Sequence, residues 1–274
     1  MRQPRRRGSA IDVARVDEWL RLFAGYRHPV TRHAVDSWLG QFRPADRDFA
    51  ARVLDCVDYF GYPQCAAAYR ALLAGLPGWA TNPKSRAGRW RFAAFSGTAG
   101  ESGDSMLWKF RVANSLGGKA NNELFIHRAE ILEAGLTADD SLVLVDDFSG
   151  TGDQVCDHWK ILQELVTGGP TVYLALVAAT QRAMSRIKSE TDLFPLAHIV
   201  LTEKDNIWSA RCSHFTASEK AALLSYCVRA SNKIPKGRGE AGLLIVFEHS
   251  CPNNSIPVLH SRNARWTGLF PRHD

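Results

Sequence analysis

The 274-residue sequence contains no run of about 18 or more apolar residues, so no segment has the length of a membrane span. Its six cysteines form no CxxC pair. Cys212 and His214 lie two positions apart, but no second ligand pair has metal-site spacing, so no structural zinc is expected. Several cysteines fall in apolar helical patterns and read as buried free thiols of a reducing compartment. The absence of internal repeats and low-complexity blocks excludes a solenoid or a disordered array. The N-terminus, MRQPRRRGSA, is basic but leads into no apolar core, so it does not read as a secretion signal. A soluble, cytoplasmic protein with no membrane partner is expected. Acidic residues are in slight deficit, 28 against 34 basic, and Arg2, Arg5, Arg6 and Arg7 supply four charges of the net +6. Such an arm reads either as a phosphate-contacting segment or as a solvated terminus.

What is present suits a packed core. Hydrophobic residues make up 45%, with eight Trp and thirteen Phe. The first part reads as helical. Val16, Trp19, Leu20 and Phe23 fall on one helix face, and Val35, Trp38, Leu39 and Phe42 repeat the spacing after His28-Pro29. A third helix carries Phe49, Val53, Val57 and Phe60, and a fourth runs from Pro63 to Leu73. These predict a helical N-terminal domain over residues 1–80. It could be a winged-helix-like or helix-turn-helix unit, or a docking bundle. Pro77 to Arg89 reads as a linker or edge loop.

Residues 86–274 then alternate strands with helices, the pattern of an α/β domain with a parallel sheet flanked by helices. Strands are expected at Trp90–Phe95, Glu123–Ile131, Leu142–Val145, Thr171–Ala178, His198–Thr202 and Leu243–Phe247. Helices are expected at Ser105–Ser115, Val155–Val166 and Ala217–Ala230.

The most informative stretch is Leu142 to Gln154, LVLVDDFSGTGDQ. An apolar strand ends in Asp146 and Asp147, at the carboxyl end where open α/β sheets collect ligands. Ser149, Gly150, Thr151 and Gly152 then form a loop whose glycines let the backbone approach an anion. The loop then opens a helix whose first N–H groups and dipole favour phosphate. Paired acids suit ribose hydroxyls or a magnesium-bound sugar, and the loop suits a phosphate on the same sugar. The loop closes with Asp153 and Gln154, and a carboxylate beside a phosphate is unfavourable unless it points away.

This segment resembles the phosphoribosyl pyrophosphate motif of type I phosphoribosyltransferases. The resemblance implies that Asp146 and Asp147 contact the ribose hydroxyls, with magnesium held only indirectly, and that Thr151 to Gln154 cradle the 5′-phosphate. It places a pyrophosphate loop between the domain's first strand and helix, where Ser96, Gly97, Gly100, Ser102 and Gly103 stand beside the acids Glu101 and Asp104. It also implies a mobile catalytic loop, here Leu116 to Arg128, with Lys119 and Arg128 as the catalytic cations. The C-terminal run FEHSCPNNSIPVLHSRNARWTGLFPR, with the helices around Trp38 and Phe42, resembles a phosphoribosyltransferase-like family of bacterial anti-phage conflict systems, some accompanying retron reverse transcriptases. In that family setting Asn253, Asn254 and Trp266 read either as a hood over a base or as a capping turn and a packed Trp.

The expectation is an effector that binds phosphoribosyl pyrophosphate or a nucleotide with magnesium and acts at ribose C1. The alternative is an inactive nucleotide sensor whose helical domain binds nucleic acid or a partner protein. Gly150 stands where such enzymes often carry a proton-transferring acid, so the motif itself offers no general base. Partners implied by the resemblance are a retron reverse transcriptase and its nucleic acid; oligomerisation is left open.

Overall fold

A computed structural model describes residues 11–96 and 103–272. The basic arm and Gly97, Gly100 and Ser102 of the expected pyrophosphate loop lie outside them. In chain order the first elements are α1 (Val13–Leu22), α2 (Arg32–Gly40), α3 (Arg47–Asp55), β1 (Asp58–Phe60) and α4 (Tyr62–Ala74). Then come β2 (Trp90–Ala94), α5 (Gly103–Ala113), β3 (Ser141–Ser149), α6 (Asp153–Leu162), β4 (Thr171–Thr180), α7 (Gln181–Glu190) and β5 (Phe194–Leu201). The last are α8 (Ala217–Ala230), β6 (Ile245–Phe247), α9 (Pro257–His260), β7 (Arg262–Asn263) and β8 (Trp266–Thr267). Among the described residues no helix is long and apolar enough to cross a membrane. All six cysteines are buried.

The chain divides into two compact units, residues 63–201 and residues 1–62 with 202–274. This differs from two consecutive domains meeting at the Pro77–Arg89 stretch. The expected helical domain does not close on itself. Its apolar faces, with Trp19, Phe23, Trp38 and Phe42, share one core with Leu223, Tyr226, Val258, Trp266 and Phe270. Polar bonds reinforce that burial: Trp38 Nε1 donates to the Val258 carbonyl at 2.8 Å, and Arg52 pairs with Glu219. Residues 58–60, expected as the end of the third helix, form a strand in parallel with β6, register Asp58↔Ile245 to Phe60↔Phe247.

Residues 63–201 carry an α/β fold with a four-stranded, all-parallel sheet in the order β2-β3-β4-β5. β3 and β4 are buried on both faces, as continuous apolar runs require. One face packs Leu142, Leu144, Leu174 and Leu176 against Val155, Trp159 and Leu162 of α6 and Ile187 of α7. On the other face Phe92 meets Phe110 of α5, which in turn meets Tyr69 of α4. The strand expected over Glu123–Ile131 is instead two 3-10 turns, at Lys119–Leu124 and Arg128–Glu130. A single bridge, Phe92↔Phe125, remains of it at the outer edge of β2. The amphipathic α7, which the strand pattern alone did not reveal, is capped by the last residue of β4: Thr180 Oγ1 accepts from Ala183 N.

Asp140 fixes where β3 begins. Its carboxylate accepts from Arg89 N at 2.7 Å, from the Arg89 guanidinium, and from Thr137 N and Oγ1. Burial alone would raise its pKa, but the bonds from Arg89 and Thr137 outweigh that and hold the carboxyl well below the usual range. A depressed folded pKa stabilises above the unfolded value, about 3.9, and the contribution is lost as pH falls below it towards the folded value. Asp140→Ala should therefore lower unfolding free energy by about 3 kcal/mol near neutral pH. Denaturant melts should show that difference narrowing below about pH 4.

Candidate functional site

The register carries β3 beyond the end of β2. Ala94 pairs with Val145, the last residue of β2 to have a partner, while β3 continues alongside β4 to Ser149↔Ala179. Asp146 and Asp147 therefore stand at the carboxyl edge of a parallel sheet. Asp146 is 8% exposed, and its Oδ1 accepts from the Asp147 backbone N–H at 3.0 Å. Tyr69 Oη donates to the Asp146 carbonyl at 3.4 Å.

After the acids the chain turns through Gly150, Thr151 and Gly152 into α6. Gly152 has φ of +82°, the left-handed conformation that L side chains rarely adopt, and a Cβ there would only touch Arg186 and the Ala183 carbonyl, so the backbone angle is what calls for glycine. Thr180 Oγ1 donates to the Gly150 carbonyl at 2.5 Å, fastening the loop to the start of α7. Ser149 and Thr151 are buried.

Asp153 does not face the loop as a bare charge. Arg186 of α7 forms an ion pair with its Oδ1, and Thr151 Oγ1 donates to its Oδ2 at 2.8 Å. Its place in the first turn of α6 also suits the helix dipole. The carboxylate thereby orients the Thr151 hydroxyl and is itself countered by a cation. Gln154, in the same turn, is exposed.

The two described ends of the expected pyrophosphate loop come together beside the acids. A Cβ on Gly103 would collide with the Ser96 carbonyl oxygen, so only glycine permits the approach. Buried Ser96 lies with its Oγ 3.5 Å from Asp146 Oδ1, and Phe95 N donates to the Val145 carbonyl at 3.0 Å. Arg128 reaches the same place, its Nη1 donating to the Phe95 carbonyl at 3.4 Å. Lys119 is exposed in the 3-10 turn that precedes Phe125. The segment Leu116 to Arg128 is anchored rather than loose. Leu116 and Leu124 are buried, Phe125 stacks on Phe92, and Ile126 N bonds the Phe92 carbonyl at 3.1 Å.

Asn253, Asn254 and Trp266 belong to the other unit. Asn254 Nδ2 donates to the Arg238 carbonyl, and Arg238 N donates to the Asn253 carbonyl. The Trp266 ring is 2% exposed, its Nε1 donates to the Val258 carbonyl, and Phe42, Tyr226 and Arg229 surround it. It has no open face on which a base could stack, which corrects the hood reading for this residue.

Two further polar residues, in the unit of residues 63–201, are not singled out by sequence pattern. His158 of α6 lies with its ring 6.2 Å from that of Phe95, and among the described residues its buried Nδ1 has no hydrogen-bond partner. Its i, i+4 spacing from Gln154 was the available signal. Lys109 is buried on α5, a lysine within the apolar face of Met106, Phe110 and Ala113. Among the described residues no three His, Cys, Asp or Glu side chains gather as a metal cluster. A magnesium ion here would take most of its oxygens from a ligand's phosphates and from water.

Comparison with known proteins adds one match. A family model described as PRTase-CE matches residues 35–272, most of the chain. No curated protein matches it. The match takes in both compact units, so the family is defined by more than the sheet and its loop.

Gly152→Ala should cost about 1–2 kcal/mol, because alanine must hold a left-handed φ. Arg186→Gln, which removes the ion pair with Asp153, should cost less than about 1 kcal/mol at this partly exposed pair. Thermal melts of both variants check the order.

Proposed function

Because the chain belongs to the PRTase-CE family, a family of phosphoribosyltransferase type, we propose that the β3–α6 loop binds phosphoribosyl pyrophosphate or a nucleotide with magnesium. The observation that carries this reading is the continuity of Asp146-Asp147, the Gly150–Gly152 turn and the α6 N-terminus at one sheet edge. In it, Asp146 and Asp147 accept hydrogen bonds from the ribose hydroxyls. The backbone N–H groups entering α6 receive the 5′-phosphate, while the Thr151 hydroxyl proton is donated to Asp153. Asp153, countered by Arg186, keeps the Thr151 hydroxyl in place without repelling that phosphate.

The reaction we assign is substitution or hydrolysis at ribose C1. The bond from C1 to the leaving group breaks with its electron pair on the departing oxygen or nitrogen, and an acceptor or water adds to C1. Arg128, next to the Phe95–Ser96 stem, and Lys119 supply positive charge for the leaving group. Magnesium bound with the ligand's phosphates would supply further charge neutralisation for the leaving group. Within this reading the protein is an effector of a bacterial anti-phage system, acting with a retron reverse transcriptase and its nucleic acid. The support for that role is the likeness of the C-terminal run from Phe247 to Arg272.

A second reading, a sensor that binds the same ligand without turnover, is favoured by Gly150, which puts no side chain where a general base would serve. Calorimetry with phosphoribosyl pyrophosphate and with nucleotides, each with magnesium, tests both. Wild type should bind at least one, and Asp146→Ala/Asp147→Ala should bind at least tenfold more weakly, about 1.4 kcal/mol, while still unfolding cooperatively. Binding of none of them would sink the ribose-phosphate reading. Binding with no release of pyrophosphate or base would assign the sensor.

A further inference from the structure

A second cleft lies far in sequence from the β3–α6 loop, within the unit formed by residues 1–62 and 202–274. It encloses about 1120 Å³ between the end of α8 and the turn that joins β7 to β8. Five cationic residues line it: Arg229, Lys233, Arg262, Arg265 and Arg272. None of its fourteen described lining residues is acidic. Among the described residues none of the five cations forms an ion pair. The chain's whole net charge is only +6, so this is a strong local concentration.

The cleft is built rather than accidental. Asn263 Nδ2 donates to the Ala230 carbonyl at 2.8 Å, clamping the β7–β8 turn to the last residue of α8. Asn263 Oδ1 also accepts from Arg265 N at 2.7 Å, which fixes the turn itself. Arg229 is held by a bond to the Gln41 carbonyl at 2.7 Å and by stacking 4.8 Å over the Trp266 ring. Arg262, Arg265 and Lys233 are left exposed at the cleft. Arg272 contributes a buried Nε that no group among the described residues satisfies.

We infer that this cleft binds the sugar-phosphate backbone of single-stranded nucleic acid. Its volume exceeds the roughly 300–1,000 Å³ of sites for one small ligand, and five cations call for several phosphates. A duplex receives protruding helices or ribbons in its grooves, whereas a concave basic groove follows one strand. Among its described lining residues there is no Phe, Tyr or Trp, so the cleft lacks the aromatic anchors common in protein interfaces and platforms for stacking bases. Recognition is therefore of the backbone, without regard to sequence. The inference does not depend on the ribose-phosphate reading of the other site.

The test is fluorescence anisotropy with labelled twelve-residue oligo(dT) and oligo(rU), over a salt series, using the full chain. Wild type should bind both. Lys233→Gln/Arg262→Gln/Arg265→Gln, three exposed positions, should bind at least tenfold more weakly with an unchanged melting temperature. Its slope of log affinity against log salt should be smaller by about 2. Neutralising Arg2, Arg5, Arg6 and Arg7, or replacing Asp146 and Asp147 by Ala, should leave the affinity within twofold. Wild-type affinity in the triple variant, or loss only in the N-terminal variant, would overturn the inference. So would equal binding of a duplex, or stoichiometric displacement by ATP or polyglutamate.

Discussion

The hydrogen bond from the Thr180 hydroxyl to the Gly150 carbonyl joins two strand ends that the β3–β4 register already brings level. That pairing is the constraint on which the candidate site rests. Thr180 ends β4, caps α7 and holds the loop after β3, so one side chain ties three elements to one point. With α7 fixed there, Arg186 reaches Asp153, and Asp153 orients the Thr151 hydroxyl. The loop is thus shaped before any ligand arrives, which spares a ligand the cost of ordering it.

The same logic explains how a site rich in carboxylates can suit an anion. Asp146 and Asp147 stand at the strand end, where hydroxyl donors of a sugar can satisfy them. Asp153, one turn away, is spent on an internal ion pair. Cations needed for a leaving group come from other segments. Arg128 is brought to the Phe95 carbonyl because residues 119–126 lie along the outer edge of β2. The charge pattern within the motif alone gives a misleading picture of the local field, since Arg186 is 33 positions away from Asp153.

Local patterns carried the parallel sheet and most helices, because continuous apolar runs and 3.6-residue spacing are properties of neighbours in sequence. Ala217–Ala230 was legible to the residue, with Thr216 and Glu219 forming a capping box at its start. Failures occurred where distant chain decides. Val57 and Phe60 continue the helical period of α3, yet Asp58–Phe60 is drawn into a strand by β6, nearly two hundred residues later. The helices of the first sixty residues read as a separate domain because their partner surface, Leu223 to Phe270, is remote in sequence. Trp266 reads equally as stacking platform or core, and only its neighbours decide for the core. Leu116 to Arg128 looks mobile from Gly117-Gly118 and Asn121-Asn122, but Phe125 on Phe92 holds it.

The central claim is that the turn from Asp146 to Gln154 receives a phosphorylated ribose. Backbone amide NMR of the isotopically labelled chain, titrated with ribose 5-phosphate in the presence of magnesium, addresses it without requiring catalysis. The account predicts saturable shifts largest at Asp147 and at Gly150 to Gln154, and their loss in Asp146→Ala/Asp147→Ala. Saturable shifts centred elsewhere, with the amides of that turn unmoved, would contradict it.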